Sequence, residues 1–185
     1  MDELGSITLY IGPMFASKTS SMIHDVERYN LAKKYHNKCM IVKYDKDTRY
    51  DHLAKFCGIV THRGDEMIKI PIVRVSKLAN VDTNGKQVIG IDEGQFYPDG
   101  PEYIEKWANL GIRVICACLD STWEYKPFET VSELIAQSEN VYKLKAVCML
   151  CGNDASWTKR LNVDNKNIED IGGADKYAAV CRKCR

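Results

Sequence analysis

Apolar positions change their spacing repeatedly along this chain, and each change marks an element. Ile7-Thr8-Leu9-Tyr10-Ile11 is a run of strand formers that stops at Gly12-Pro13, where a turn is almost forced. Beyond the turn Met22, Val26 and Tyr29 recur at i, i+4 and i+7, which predicts a helix capped by Thr19 or Ser20 and running to about Lys34. Cys39-Met40-Ile41-Val42 predicts a second strand. Val88-Ile89-Gly90-Ile91 predicts a buried parallel strand that delivers Asp92 and Glu93 at its carboxyl end. A helix follows from about Pro101, with Ile104, Trp107 and Ala108 on one face, and residues 114–119 form another apolar strand ending at Asp120. Strand, helix and strand in alternation imply right-handed crossovers and a parallel α/β sheet flanked by helices.

Two stretches break this rhythm. Residues 44–66 are polar and charged without a sustained period, too long for an idle connection, which suggests a substrate or phosphate role. From Ala146 onward the chain turns to short segments around cysteines and charged residues. A boundary is therefore expected near residue 145, with a nucleotide-binding body over 1–145 and a small metal-binding unit over 146–185. The length of 185 residues and 45% hydrophobic content suit one core plus an appendage that needs its own staple. A formal net charge of +1 lacks the basic footprint of a nucleic-acid binder. The acidic start and short first apolar run give no secretory signal and no membrane span, so a reducing, cytoplasmic location is expected.

In that compartment the 8 cysteines point to metal or buried thiols rather than disulfides. Cys148-x-x-Cys151 and Cys181-x-x-Cys184 have the spacing of a closed four-thiolate zinc site, which leaves no open position and so is structural. A redox dithiol and a nucleic-acid-binding zinc ribbon are the rival readings. Asp154, Asp164, Glu169, Asp170 and Asp175 in this segment would repel a phosphate backbone. Cys39, Cys116 and Cys118 lie in apolar runs and Cys57 in a polar loop, where ordinary thiols are expected.

Between a predicted strand and a predicted helix stands Gly12-Pro13-Met14-Phe15-Ala16-Ser17-Lys18-Thr19, close to G-x-x-x-x-G-K-[ST]. In that context successive backbone N–H groups and the helix N-terminus face an anion, the lysine reaches the outer phosphates, and the threonine hydroxyl is available to Mg²⁺. Ser17 stands where the motif wants glycine, and a side chain there either crowds the phosphates or strains a backbone at positive φ. Asp92 is placed to hold Mg²⁺ or its water, and Glu93 to take a proton from a substrate hydroxyl. Taken alone, Asp92 and Glu93 also suit a strand end and a solvated turn.

Together with Asp47-Thr48-Arg49-Tyr50, Ile91-Asp92-Glu93-Gly94-Gln95-Phe96, Lys126-Pro127-Phe128 and Ile171-Gly172-Gly173-Ala174-Asp175-Lys176-Tyr177, these motifs resemble the type II thymidine kinases of cells and poxviruses. The resemblance spans nearly the whole chain in order. It implies transfer of the γ-phosphate of MgATP to the 5′-hydroxyl of thymidine, with Glu93 as base, Asp92 at the acidic strand end and Lys18 on the phosphates. Asp47 and Arg49 would lie near the metal and phosphates, with Gln95 following the base on the nucleotide side. A zinc-braced lasso containing Ile168, Glu169, Asp170, Ile171, Gly172 and Tyr177 would cover the nucleoside. Met14, Leu119 and Trp123 would line the base pocket, and Phe128 would belong to the same substrate side. The family also implies a homotetramer and feedback by thymidine triphosphate, while charge and composition make neither nucleic acid nor a membrane an expected partner. Ser17 and Ser121 replace the family's usual glycines and Trp123 its usual phenylalanine. The end of the chain one residue after Cys184 points to a viral or microbial source. An alternative keeps the fold but not the turnover: a nucleotide binder weakened by Ser17.

Overall fold

A computed structural model of the chain describes residues 4–47, 70–161 and 173–185. Its body is one six-stranded sheet in the order β3-β2-β4-β5-β1-β6, parallel throughout. The strands are β1 (Ser6–Gly12), β2 (Cys39–Tyr44), β3 (Ile72–Val75), β4 (Val88–Ile91), β5 (Arg113–Leu119) and β6 (Asn140–Lys143). The helices are α1 (Lys18–Leu31), α2 (Gly100–Asn109) and α3 (Glu129–Gln137).

Period-two alternation sorts the strand residues onto two covered faces. Ile7, Leu9, Met40, Ile89, Ile91 and Val114 pack with Ile104 and Trp107 of α2 and Val131 and Leu134 of α3. Their neighbours Cys39, Ile41, Val88, Ile115 and Ala117 face the other way, onto Met22 and Val26 of α1. Burial on both faces is what makes the strands near-continuous apolar runs. Met22 and Val26 are fully buried, each worth roughly 1.5–3 kcal/mol of transfer free energy. Gly90 admits α1 this closely: a Cβ there would lie 2.5 Å from the Met22 sulfur and 2.8 Å from Val26 Cγ2.

The expected strands and the helix near Pro101 are present, and the parallel α/β architecture is borne out. The first helix differs at both ends. Its N-cap is Ser17, not Thr19 or Ser20, and it stops at Leu31, short of Lys34. Ser17 is in the left-handed region, so the cap lies two residues earlier than Thr19. Three elements carry no clear pattern in the sequence. β3 and β6 are edge strands, with β6 exposed along its length, and α3 presents only Val131 and Leu134 to the core.

Beyond β6 the chain forms two small antiparallel pairs. β7 (Ala146–Val147) pairs with β8 (Asp154–Ala155), and β9 (Trp157–Arg160) with β10 (Tyr177–Val180). Ala146, Ala155, Ala178, Ala179 and Val180 make a separate small-residue cluster with Cys148 and Cys181. Ala16 from the loop after β1 is buried in that cluster, which seats the loop on the cysteine unit.

Candidate active site

In a parallel sheet all carboxyl ends share one edge, and there the side chains singled out above converge. Gly12 ends β1 at φ 144°, and a Cβ would fall 2.5 Å from the Leu144 carbonyl oxygen, so only glycine fits. Phe15 (φ 66°) and Ser17 (φ 58°, ψ 27°) both adopt left-handed conformations. Alternation of this kind turns successive N–H groups toward one concavity, the form of an anion nest. Met14 N–H is bound instead by Thr158 Oγ1 at 3.0 Å, a second tie between the loop and the cysteine unit. Lys18 Nζ reaches back to donate to the Pro13 carbonyl at 2.6 Å. Burial depresses the Lys18 ammonium below the ordinary lysine range, against the pull of Glu93, Asp120, Cys118 and Asp92.

β5 lies between β1 and β4, which sets the acidic residues one strand away from the loop. Asp92 is buried, and its Oδ1 accepts from the Thr19 hydroxyl at 2.7 Å and from Glu93 N–H at 3.2 Å. Lys43 Nζ stands 4.0 Å from Oδ2. Burial, reinforced by the Glu93 charge, pushes the Asp92 carboxyl up to about 6, while Thr19 and Lys43 oppose the shift and the Asp47 charge adds to it. Thr19 and Asp92 are therefore already paired, as a loop hydroxyl and strand-end carboxylate must be to share a divalent cation. Glu93 sits at φ 55°, ψ 44°, a left-handed turn for a non-glycine residue at the mouth of the sheet. Gln95 Nε2 donates to Glu93 Oε2 at 2.6 Å, and Gln95 Oε1 accepts the Leu119 N–H at 2.9 Å. Buried Gln95 thus ties the Glu93 carboxylate to the end of β5.

The other expected residues are spread over several elements. Leu119 pairs with Gly12 in the sheet, and Trp123 lies on the turn that follows β5. Tyr177 is buried opposite Arg160 in the β9–β10 pair. Phe128 precedes α3 and packs against the main core. Asp47 lies just past β2, where its carbonyl accepts from Arg74 Nη1 at 2.9 Å. Arg49, Ile168, Glu169, Asp170, Ile171 and Gly172 lie outside the described residues, as do Thr48, Tyr50 and Cys57.

The sulfurs of Cys148, Cys151, Cys181 and Cys184 all lie within 4.8 Å of one another. A tetrahedral zinc with Zn–S bonds of about 2.3 Å has S···S edges of about 3.8 Å, so the four donors fit the ion. Burial raises the Cys148 thiol, but backbone N–H groups of Cys181, Leu150 and Cys151 outweigh it and bring it down to about 6, a ready thiolate. Among the described residues no helix is long and apolar enough to cross a membrane.

Four site residues were not foreseen. Asp120 follows Leu119 and forms a 2.9 Å ion pair with Lys143, which spans the end of β1 from β5 to β6. Its Oδ1 is buried without a partner. A strand-end acid is visible in the sequence, but not the lysine across two strands. Thr158 and Arg160 are polar residues buried in a short strand, and no sequence signal separates them from a solvated loop.

Comparison with known proteins decides which family carries this edge. A family model described as thymidine kinase matches residues 5–185. The chain belongs to the thymidine kinase family. The thymidine kinase of Rabbit fibroma virus (strain Kasza) is 47% identical, covering 97% of this chain and 96% of the relative. Thymidine kinase 1 of Dictyostelium discoideum is 43% identical over 97% of this chain and 77% of its own length. The cytosolic thymidine kinase of Homo sapiens is 44% identical over 97% of this chain and 73% of its own length. The family resemblance drawn from separate motifs is thereby borne out over the full span from β1 to the last cysteine pair.

Proposed function

We propose that the chain phosphorylates the 5′-hydroxyl of thymidine from ATP, giving thymidine monophosphate for DNA precursor synthesis. One observation carries the assignment of roles: the Glu93 carboxylate is held by Gln95 at the same sheet edge where Thr19 is bonded to Asp92. Glu93 accepts the proton of the attacking hydroxyl, with Gln95 fixing Oε2 so that proton transfer needs no search of rotamers. Lys18 leaves the Pro13 carbonyl for the outer phosphates, an exchange of one acceptor for a charged one. Thr19 and Asp92 would hold Mg²⁺, which supplies charge neutralisation on the phosphates when bound; Asp47 and Arg49 would support it. The loop amides from Phe15 to Thr19 orient the donor.

On the nucleoside side, Met14, Leu119, Trp123 and Phe128 would line the base site, beneath Tyr177 and a covering segment formed by residues 168–172. The four-cysteine unit of residues 146–185 would be a separate structural domain stapled by zinc on the body of 1–145. A homotetramer, feedback by thymidine triphosphate and a cytosolic location complete the reading. The left-handed Ser17 favours one alternative, a nucleotide binder with weakened turnover.

The deciding assay is phosphate transfer from MgATP to thymidine by zinc-loaded protein, with Lys18→Ala as the blank. Glu93→Gln is expected to lower kcat by about 10²- to 10⁴-fold with both substrates still bound. Near-normal turnover in Glu93→Gln would remove it from the base role. No transfer by the wild type, with ATP bound, would establish the binder instead.

A further inference from the structure

The turn over residues 121–127, between β5 and α3, is closed by its own backbone. Thr122 N–H donates to the Lys126 carbonyl at 2.8 Å, Tyr125 N–H to the Thr122 carbonyl at 3.0 Å, and Ser121 bridges to Pro127. Glu124 and Lys126 pair with each other at 3.0 Å. Tyr125 sits at φ 65°, a conformation that costs an aromatic residue about 1 kcal/mol or more. Tyr125 is 39% exposed, so burial alone does not hold the turn in this strained form.

Two cations from the four-cysteine unit cover the turn's two rings. The Arg185 guanidinium is 5.2 Å from the Tyr125 ring centre, and Arg160 is 5.5 Å from that of Trp123. Arg185 also lies 4.9 Å from the Trp157 ring, whose centre is 4.5 Å from Arg182. The result is a ladder of guanidinium, indole, guanidinium and phenol running from β9 to the turn. Its anchor is the cysteine cluster, since the amides of Cys184 and Arg185 both donate to the Cys181 carbonyl at 3.1 Å. Lys159 Nζ caps the Cys184 carbonyl at 3.1 Å.

We propose that Arg185 is a positioning residue: stacked between Trp157 and Tyr125, it ties the 121–127 turn to the zinc-stapled unit and so sets where Trp123 stands. The tie needs no ligand. Its consequence for catalysis rests on the reading above that Trp123 lines the thymidine site. Loss of the four-thiolate geometry frees the anchor, and the turn with it, while the loop before Thr19 has ties of its own to the same unit through Ala16 and the Met14–Thr158 bond.

The test measures amide exchange and kinetics on zinc-loaded protein. In Arg185→Ala the amides of Thr122 and Tyr125 are expected to exchange about two- to fivefold faster, the range of one exposed cation–ring contact. Exchange within α1 and the zinc-to-protein ratio stay as in the wild type. KM for thymidine rises by a similar factor, with kcat and KM for ATP unchanged, and Arg185→Lys recovers part of the loss. Tyr125→Ala gives the same exchange effect, and combining it with Arg185→Ala adds nothing further. Unchanged exchange in Arg185→Ala, or full additivity of the two substitutions, overturns the tie. Faster exchange without a change in thymidine KM upholds the tie and removes Trp123 from the thymidine site.

Discussion

Ser17 offers the sharpest test of how the phosphate loop is built, because its conformation and its side chain separate cleanly. At φ 58° and ψ 27° it occupies the left-handed region, and its hydroxyl makes no capping hydrogen bond. The contact it does make, Ser21 Oγ to the Ser17 carbonyl at 3.0 Å, belongs to the backbone and survives substitution. Ser17→Gly therefore removes a left-handed penalty of about 1–2 kcal/mol and loses nothing from the side chain. Glycine's greater freedom in the unfolded chain takes back about 0.5–1 kcal/mol, which leaves a net gain of about 0–1.5 kcal/mol. Ser17→Ala keeps the penalty and should match the wild type within about 0.5 kcal/mol. Ser17→Val adds β-branching at positive φ and should lose about 1–2 kcal/mol. Valine and glycine are thus about 2 kcal/mol apart at mid-range, and since about 1 kcal/mol shifts Tm by about 2–4 °C for a chain of this size, they should differ by roughly 4–8 °C in thermal denaturation monitored by circular dichroism. The glycine variant should also raise kcat/KM for ATP, because the loop reaches its phosphate-binding form without strain. Valine and glycine variants melting within about 1 °C of each other would refute a conformational origin. A fall in kcat/KM for ATP with glycine would show that the serine makes a contact of its own.

Gln95→Ala should cut kcat by about 10- to 100-fold while KM for ATP moves less than about threefold, since it releases Glu93 Oε2 from its 2.6 Å partner without touching the phosphate loop. Unchanged kcat would show that Glu93 is oriented by its backbone alone. Asp92, raised to about 6 by burial and the neighbouring Glu93 charge, binds its proton more tightly folded than unfolded. The sign follows from linkage: between about pH 4 and 6 the folded state holds more protons, so stability falls as pH rises. In metal-free protein the wild type should lose about 1–3 kcal/mol relative to Asp92→Asn across that window, read by urea denaturation, and parallel pH curves would contradict it. Zinc content should be one ion per chain, abolished by Cys181→Ser, and chelation should open exchange in β9 and β10 before β1. Simultaneous exchange of all three strands would mean that the cysteine unit has no stability of its own.

The chemistry-bearing segments were legible because they follow local rules. Gly12-Pro13 must turn, a helix must open soon after it, and Asp92-Glu93 must leave the end of an apolar strand. The two Cys-x-x-Cys pairs have the spacing of zinc ligands, which can be read without the fold. Patterning along the chain likewise predicted four of the six sheet strands, since a strand buried on both faces is apolar throughout. β3 and β6 escaped because an edge strand has only one neighbour and tolerates polar residues, so Asn140-Val141-Tyr142-Lys143 is exposed at every position. What pairing decides was not legible either. Lys143 and Asp120 lie far apart in sequence and meet only because β6 and β5 flank β1. Thr158 binds the Met14 amide, and Arg160 and Arg185 find their aromatic rings, only once the cysteine unit is seated on the body. The sequence by itself determined which residues could carry phosphate, proton and metal chemistry, because those demands are written in turns, strand ends and ligand spacing. The tertiary structure alone decided which of them act together, because sheet order and the packing of two units set distances that no local rule contains.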